Sequence, residues 1–166
     1  MLSNKNALAN IAVKNLEISR KFYENVLGLE KIDSVGDEVV VYKCGNAAII
    51  VYQSQYAGTN KATSATWVVG EDIEILVKEL KSKGIPFEHY DMPNTTLKDD
   101  IHFDGDMKVA WFKDPDGNIL NIVNKWSNAS IYHANILPLF SSVLENSIYN
   151  TMKAKGEQDD ILFIVK

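Results

Sequence analysis

Short apolar bursts alternate with amphipathic segments along the chain, and the same order of elements occurs twice. Ala9–Val13 reads as a strand. Asn15 then offers a side-chain oxygen to cap a helix whose apolar stripe is Ile18, Phe22 and Val26, widened by Tyr23 and Leu27. Gly28 suits the left-handed residue that ends such a helix. Glu30–Val35, Glu38–Lys43 and Ala47–Gln53 follow as strands, with turns at Gly36-Asp37 and Cys44-Gly45-Asn46.

After a polar linker, Gln55–Ala62, the series repeats. Thr63–Val69 is a strand, and Asp72 is placed to cap a helix carrying Ile73, Leu76, Val77 and Leu80 on one face. Glu74 and Lys78 stand one helical turn apart on that helix, a favourable pairing. Gly84 and Pro86 stop it. Pro86–Tyr90, Met107–Lys113 and Ile119–Asn124 are the matching strands, and a long polar excursion, residues 91–106, separates the first two. Loops of that length inside a domain are often functional or mobile. The chain is thus predicted to be α+β: two tandem βαβββ half-modules, residues 7–53 and 63–124, forming curved sheets that enclose a cleft.

Beyond the repeat, residues 126–166 have no counterpart. Leu137–Lys155 has helical apolar spacing, with Pro138 in its first turn and Gly156 past its end. Ile161–Val165 is an apolar strand that must be covered or paired. This tail is a candidate homodimer contact.

The 166 residues suit about one domain with its own core. A net charge of −5 argues against a nucleic-acid partner, which wants a basic face. Arg20 is the one arginine, so bidentate anion recognition has little to draw on. The single cysteine, Cys44, allows no internal disulfide, and neither an apolar leader nor a membrane-length apolar run occurs. A cytoplasmic setting and no membrane partner are the expectations.

Two stretches resemble a known family. Ile11–Leu16 with Lys21–Leu29 is similar to the opening of the vicinal oxygen chelate superfamily, and Phe112-Lys113-Asp114-Pro115-Asp116-Gly117-Asn118 is similar to its closing signature. The resemblance spans residues 7–124. That superfamily includes glyoxalases, bleomycin-resistance proteins, fosfomycin-resistance enzymes and extradiol dioxygenases. It implies a cleft in which His, Glu or Gln side chains from the first and last strands of each half hold a divalent metal that acts as a Lewis acid.

Carried over position by position, the resemblance puts those ligands at Leu8, Ile49, Ala65 (or Ser64) and Asn121. The first three offer no ligating imidazole or carboxylate, and Asn121 offers only a neutral amide. No cofactor is therefore expected, although a divalent metal elsewhere stays open. The implied function is binding of a small organic molecule in the cleft, as in bleomycin-resistance proteins. A glyoxalase-like lyase or a dioxygenase with a non-standard site is the alternative, and an oligomerising interaction protein is a further one.

The resemblance implies Leu8, Ile49 and Asn121 as cleft-facing candidate ligand-binding residues; strand alternation adds Asn10 beside Leu8, and Trp67 or Trp111 is a candidate stacking wall. Each Asn equally fits a hydrogen bond to a neighbouring strand, and each Trp equally fits the core. His102 with Asp104, and His89 nearby, form a minimal general-base set, weighed against a solvated polar loop. Asp114 and Asp116 read as turn chemistry, without catalysis.

Overall fold

The computed structural model describes Ser3 and residues 5–126. The expected elements at 137–155 and 161–165, and the homodimer contact assigned to residues 126–166, lie outside the described residues, save Trp126. In the first half, β1 (Ala9–Val13) leads to α1 (Leu16–Arg20), which continues through a π-helical turn over Lys21–Val26. β2 (Glu30–Val35), β3 (Val39–Cys44) and β4 (Ala47–Gln53) complete it, in the sheet order β1-β4-β3-β2. In the second half, β5 (Thr63–Val68), a 3-10 turn at Gly70–Asp72 and α2 (Ile73–Ser82) are followed by β6 (Phe87–Glu88). Then come β7 (Thr96–Lys98), β8 (Ile101–Asp104), β9 (Met107–Lys113) and β10 (Ile119–Val123). The order here is β5-β10-β9-β8-β7, with β6 also on β9. In both halves the first strand pairs in parallel with the last, and the remaining pairings are antiparallel.

Several expectations about local structure are corrected. The excursion 91–106 holds the hairpin β7–β8, which widens the second sheet. Its turn places Asp99 and Asp100 at φ 51 and 68, left-handed geometry that a short polar side chain tolerates. The strand expected over 86–90 is only two residues long. Beyond it, the Tyr90 amide and carbonyl both lie 3.1 Å from the His102 ring Nε2 and leave the ladder. β8 takes the edge of β9 that they vacate, at His102↔Val109 and Asp104↔Met107.

The other corrections concern the helices. Asn15 caps α1 as expected, accepting from the Ile18 amide at 3.0 Å. Asp72, by contrast, makes no capping bond, because the 3-10 turn feeds α2 directly. Glu74 bonds the Lys108 ammonium of β9 at 2.7 Å, tying α2 to its sheet. On the first helix Ile18 is exposed, and the inner face is Leu16, Ser19, Phe22 and Tyr23. Ser19 fits there because its hydroxyl donates to the Asn15 carbonyl at 2.8 Å and so brings no unsatisfied group inside.

One hydrophobic cluster runs through both halves, from Ile11, Val13 and Tyr42 to Leu80, Phe112 and Leu120. Burying side chains of this size contributes roughly 1.5–3 kcal/mol each. The turn between β9 and β10 joins the halves. Tyr23 donates to Asp114 at 2.8 Å, Asn118 Nδ2 donates to the Ala12 carbonyl at 2.8 Å, and Asp116 accepts from the Lys14 amide at 3.0 Å. The linker packs onto the same turn. Ala57 is buried, and a Cβ on Gly58 would lie 1.9 Å from the Asp116 carbonyl oxygen. Among the described residues no helix is long and apolar enough to cross a membrane.

Candidate functional site

Register decides which side chains share a face of each sheet. In the first sheet Ile11 pairs with Val51 and Asn10 with Ile50. Ile11, Val13, Ile49 and Val51 lie in the core, so Asn10, Ala12, Ile50 and Tyr52 share the opposite face. Ile49 therefore does not belong to the cleft wall, and Ile50 holds the register position assigned to it. Leu8 precedes β1 and is 42% exposed. Asn10 is exposed, and its amide donates to the Leu8 carbonyl at 3.2 Å, a local strand contact.

In the second sheet Asn121 stands opposite Thr66 on one side and Trp111 on the other. His102 stands opposite Val109, which stands opposite Val123. These side chains share one face. Ala65 and Trp67 pair with Leu120 and Ile122 and pack against the core, so neither joins the cleft wall. Of the two candidate tryptophans, the structure places Trp111 on the cleft side. Trp67 lies with Phe112 and Ile122 beside a separate apolar cavity of about 170 Å³ near the helices. Cys44 sits close to Trp67, and burial pushes its thiol up, away from reactivity.

A cavity of about 410 Å³ opens on the cleft face of the second sheet. Val109, Trp111 and Val123 form its apolar wall, Asn121 and His102 bring polar atoms to it, and Asp104 lies at its exposed end. Its lining is drawn from residues 63–126, so Leu8, Asn10, Ile49 and Trp67 are not part of it. A second cavity of about 370 Å³, bounded by His89, Tyr90, Asp91 and Leu97, shares Met92, Thr95 and His102 with the first.

His102 is 1% exposed despite its place in a polar stretch. Its ring stands edge-on to Trp111, with centroids 5.1 Å apart, and Tyr90 meets the same indole at 5.4 Å. Nε2 is occupied by the Tyr90 backbone, whereas Nδ1 has no hydrogen-bond partner among the described residues. Asn121 Oδ1 and the Tyr90 hydroxyl are also buried without partners among the described residues. Leaving such a group unpaired costs about 1–3 kcal/mol, so natural folds rarely do it without cause. His89 is engaged otherwise, with Nε2 2.8 Å from Asp100 Oδ1. Lys81 also bonds Asp100, and Lys81 first and His89 next hold that carboxyl below its ordinary range.

The metal implied by the family has a poor donor set here. The cleft-face positions of the four strands carry Asn10 and Ala12, Ile50 and Tyr52, Thr66, and Asn121, without imidazole or carboxylate. Among the described residues no group of three or more His, Cys, Asp or Glu side chains could hold an ion. These residues do not fit a hard or borderline divalent cation.

Among the described residues Asp114 is the buried carboxylate. It takes bonds from Tyr23, from the Asn118 amide group and backbone, and from the Asp116 backbone. Burial pushes its carboxyl up, and these donors pull the other way. Burial with Asp114 nearby also raises the Tyr23 hydroxyl far above its ordinary value. Asp114 belongs to the junction between halves and lines neither cleft cavity.

Sequence reasoning missed Tyr90, Thr66 and Val109 as cleft residues. The signal for the first was the Lys98-Asp99-Asp100-Ile101 turn, which folds β8 back toward Tyr90.

The model of the Glyoxalase/Bleomycin resistance protein/Dioxygenase superfamily matches residues 6–122. A search of curated proteins finds no match. Similar solved structures include an integron cassette protein from the mobile metagenome of the Halifax Harbour sewage outfall, 21% identical, covering 73% of this chain and 99% of that one at TM-score 0.55. Lactoylglutathione lyase from Agrobacterium tumefaciens is 17% identical over 72% of this chain and 92% of its own, at TM-score 0.53. The fosfomycin resistance protein FosX from Listeria monocytogenes is 14% identical over 76% and 97%, at TM-score 0.59. At these identities the likeness is one of fold.

Proposed function

The chain belongs to the Glyoxalase/Bleomycin resistance protein/Dioxygenase superfamily, and from that premise we propose that it binds a small organic molecule in the cavity of its second sheet without the divalent metal of the family's enzymes. The observation that carries this reading is the combination of an apolar wall, Val109, Trp111 and Val123, with buried polar atoms of Asn121 and His102 that lack partners. Small-molecule sites have this composition, mostly apolar with a few polar anchors. The cleft-face residues of the family's ligand strands support the metal-free part, since they supply no strong donor. A cytoplasmic setting and a homodimer through residues 126–166 belong to the same proposal.

Elemental analysis and native mass spectrometry of the full chain test it together. The expected result is no stoichiometric metal, and a retained or added organic ligand that is lost in Trp111→Ala. Stoichiometric nickel, zinc, iron or manganese with metal-dependent lyase activity would overturn it. A sedimentation profile unchanged by deletion of residues 126–166 would remove the dimer.

One observation favours a second reading, an enzyme. His102 lines the cavity with Nε2 against the Tyr90 backbone and Nδ1 unbonded among the described residues; in the tautomer whose Nε2–H donates to the Tyr90 carbonyl, Nδ1 is disposed as a general base. Any turnover found should then vanish in His102→Ala, and unchanged kinetics would exclude the role.

A further inference from the structure

The two cleft cavities meet at His102, and their charges are one-sided. Among the described residues the larger is lined by one formally charged side chain, Asp104, and the smaller by one, Asp91, with no Lys or Arg in either. The nearest lysine on the cleft face of β9, Lys113, is tied to Glu88 at 2.6 Å. Lys108 is drawn instead to Glu74 at 2.7 Å. The two lysines of β9 are thus committed elsewhere, and the described lining of both cavities is acidic.

The unpaired polar atoms fall along the same path. Asn121 Oδ1 accepts hydrogen bonds only, and it lies across the strand pair from the indole of Trp111. His102 Nδ1 stands at the junction, and the Tyr90 hydroxyl belongs to the smaller cavity. An occupant that satisfied all three would span both cavities. An indole face favours a planar group and, more strongly, a cationic one. A carboxylate, phosphate or phosphonate would meet Asp104 and Asp91 with no lysine or arginine of the described lining to offset them, a combination that disfavours anions.

Resting on the proposed binding role, we infer that the occupant is an elongated, two-part molecule, neutral or cationic. Its planar, donor-bearing end lies over the paired Trp111 and Asn121, and a polar tail reaches past His102 to Tyr90. Asp104 sets the charge preference and Asn121 the need for an N–H or O–H donor.

Calorimetry on the full chain with three probes of one ring system tests this. They are 9-aminoacridine, acridine-9-carboxylate, and 9-aminoacridine with a hydroxybutyl chain on its amino nitrogen. The aminoacridine should bind at least about tenfold more tightly than the carboxylate, and the chain should add about threefold. Tyr90→Phe should remove the gain from the chain. Asn121→Leu, close in volume, should weaken the aminoacridine several-fold, and the exposed variant Asp104→Asn should shrink the ratio between the charged probes even if Asn121→Leu fails to fold. Equal or tighter binding of the carboxylate overturns the inference. If Trp111→Ala still abolishes that binding, the cavity's binding role survives. No binding of any probe counts against both.

Discussion

The two halves repeat one βαβββ plan, yet only the second carries the cavity that brings Trp111, Asn121 and His102 together. On the first sheet, Asn10, Ala12, Ile50 and Tyr52 occupy the face that corresponds to the cleft wall, and Asn10 spends its amide on its own strand. On the second, Thr66, Asn121, Trp111, Val109 and His102 line a deep pocket. The difference comes from an addition: the hairpin β7–β8 widens one sheet and raises a wall at its edge. Duplication set out the two faces, and an inserted hairpin made them unequal.

The comparison breaks most severely where the halves are fastened. Gly58 sits at φ 69 with the Asp116 carbonyl in the space a Cβ would fill. Gly58→Ala should cost roughly 2–4 kcal/mol through left-handed strain and a clash with backbone that cannot yield. Urea unfolding measures this, and a loss within error would mean that the linker does not pack on the second-half turn.

Next in size is the contrast between the faces themselves. Trp111→Ala should weaken ligand or probe binding at least about tenfold, near 1.4 kcal/mol, while Tyr52→Ala on the first sheet should change it less than about twofold. Calorimetry on the pair decides. Equal losses would make the cleft a shared property of both sheets.

Alkaline pH probes the packing of the first half. Burial, with Glu24 nearby, raises the Tyr42 hydroxyl above its ordinary value of 10.0. Below that value the phenol keeps its proton in both folded and unfolded chains, and the stability it contributes is fully present. As pH rises above it, the unfolded chain releases the proton first, so stability is lost toward the higher folded value. Tyr23 acts in the same sense. Tyr42→Phe should therefore flatten the fall of unfolding free energy above pH ~10 by about 1.4 kcal/mol per pH unit. Urea titrations at a series of alkaline pH values read the slope, and an unchanged slope would place Tyr42 in water.

The smallest effect separates the helices. Asn15→Ala should cost about 1 kcal/mol, because it removes a working cap. Asp72→Ala should fall within about 0.5 kcal/mol, because Asp72 caps nothing. Thermal melts of the two variants rank them, and the reverse order would refute the 3-10 entry into α2.

Much of the architecture was legible before any coordinates. Periodicity located both helices and most strands, and Asn15 and Gly28 bounded the first helix where they should. The hairpin inside 91–106 was obscured because its strands are short and polar, while its turn uses two aspartates in place of the usual glycine pair. The inward place of Ser19 was obscured for a related reason: a hydroxyl that bonds its own helix backbone hides its polarity. The candidate site was read less well than the fold. Asn121 and Trp111 were named and do lie on the cavity wall, but Leu8, Asn10, Ile49 and Trp67 do not. Ile49 lies one residue of register from the cleft face, and in a strand one residue exchanges core for cleft; of the two tryptophans, either of which was a candidate, Trp111 holds the cavity side and Trp67 the core side.

The sequence alone determined the family, the doubled plan and the absence of strong metal donors from the matching strands, because these depend on residue type and order. Tertiary structure alone decided which strand face meets the cleft, that His102 stands on the boundary shared by the two cavities, and that Lys108 and Lys113 of β9 are paired outside them. Those outcomes depend on register and on contacts between residues far apart in the chain, which local periodicity does not encode.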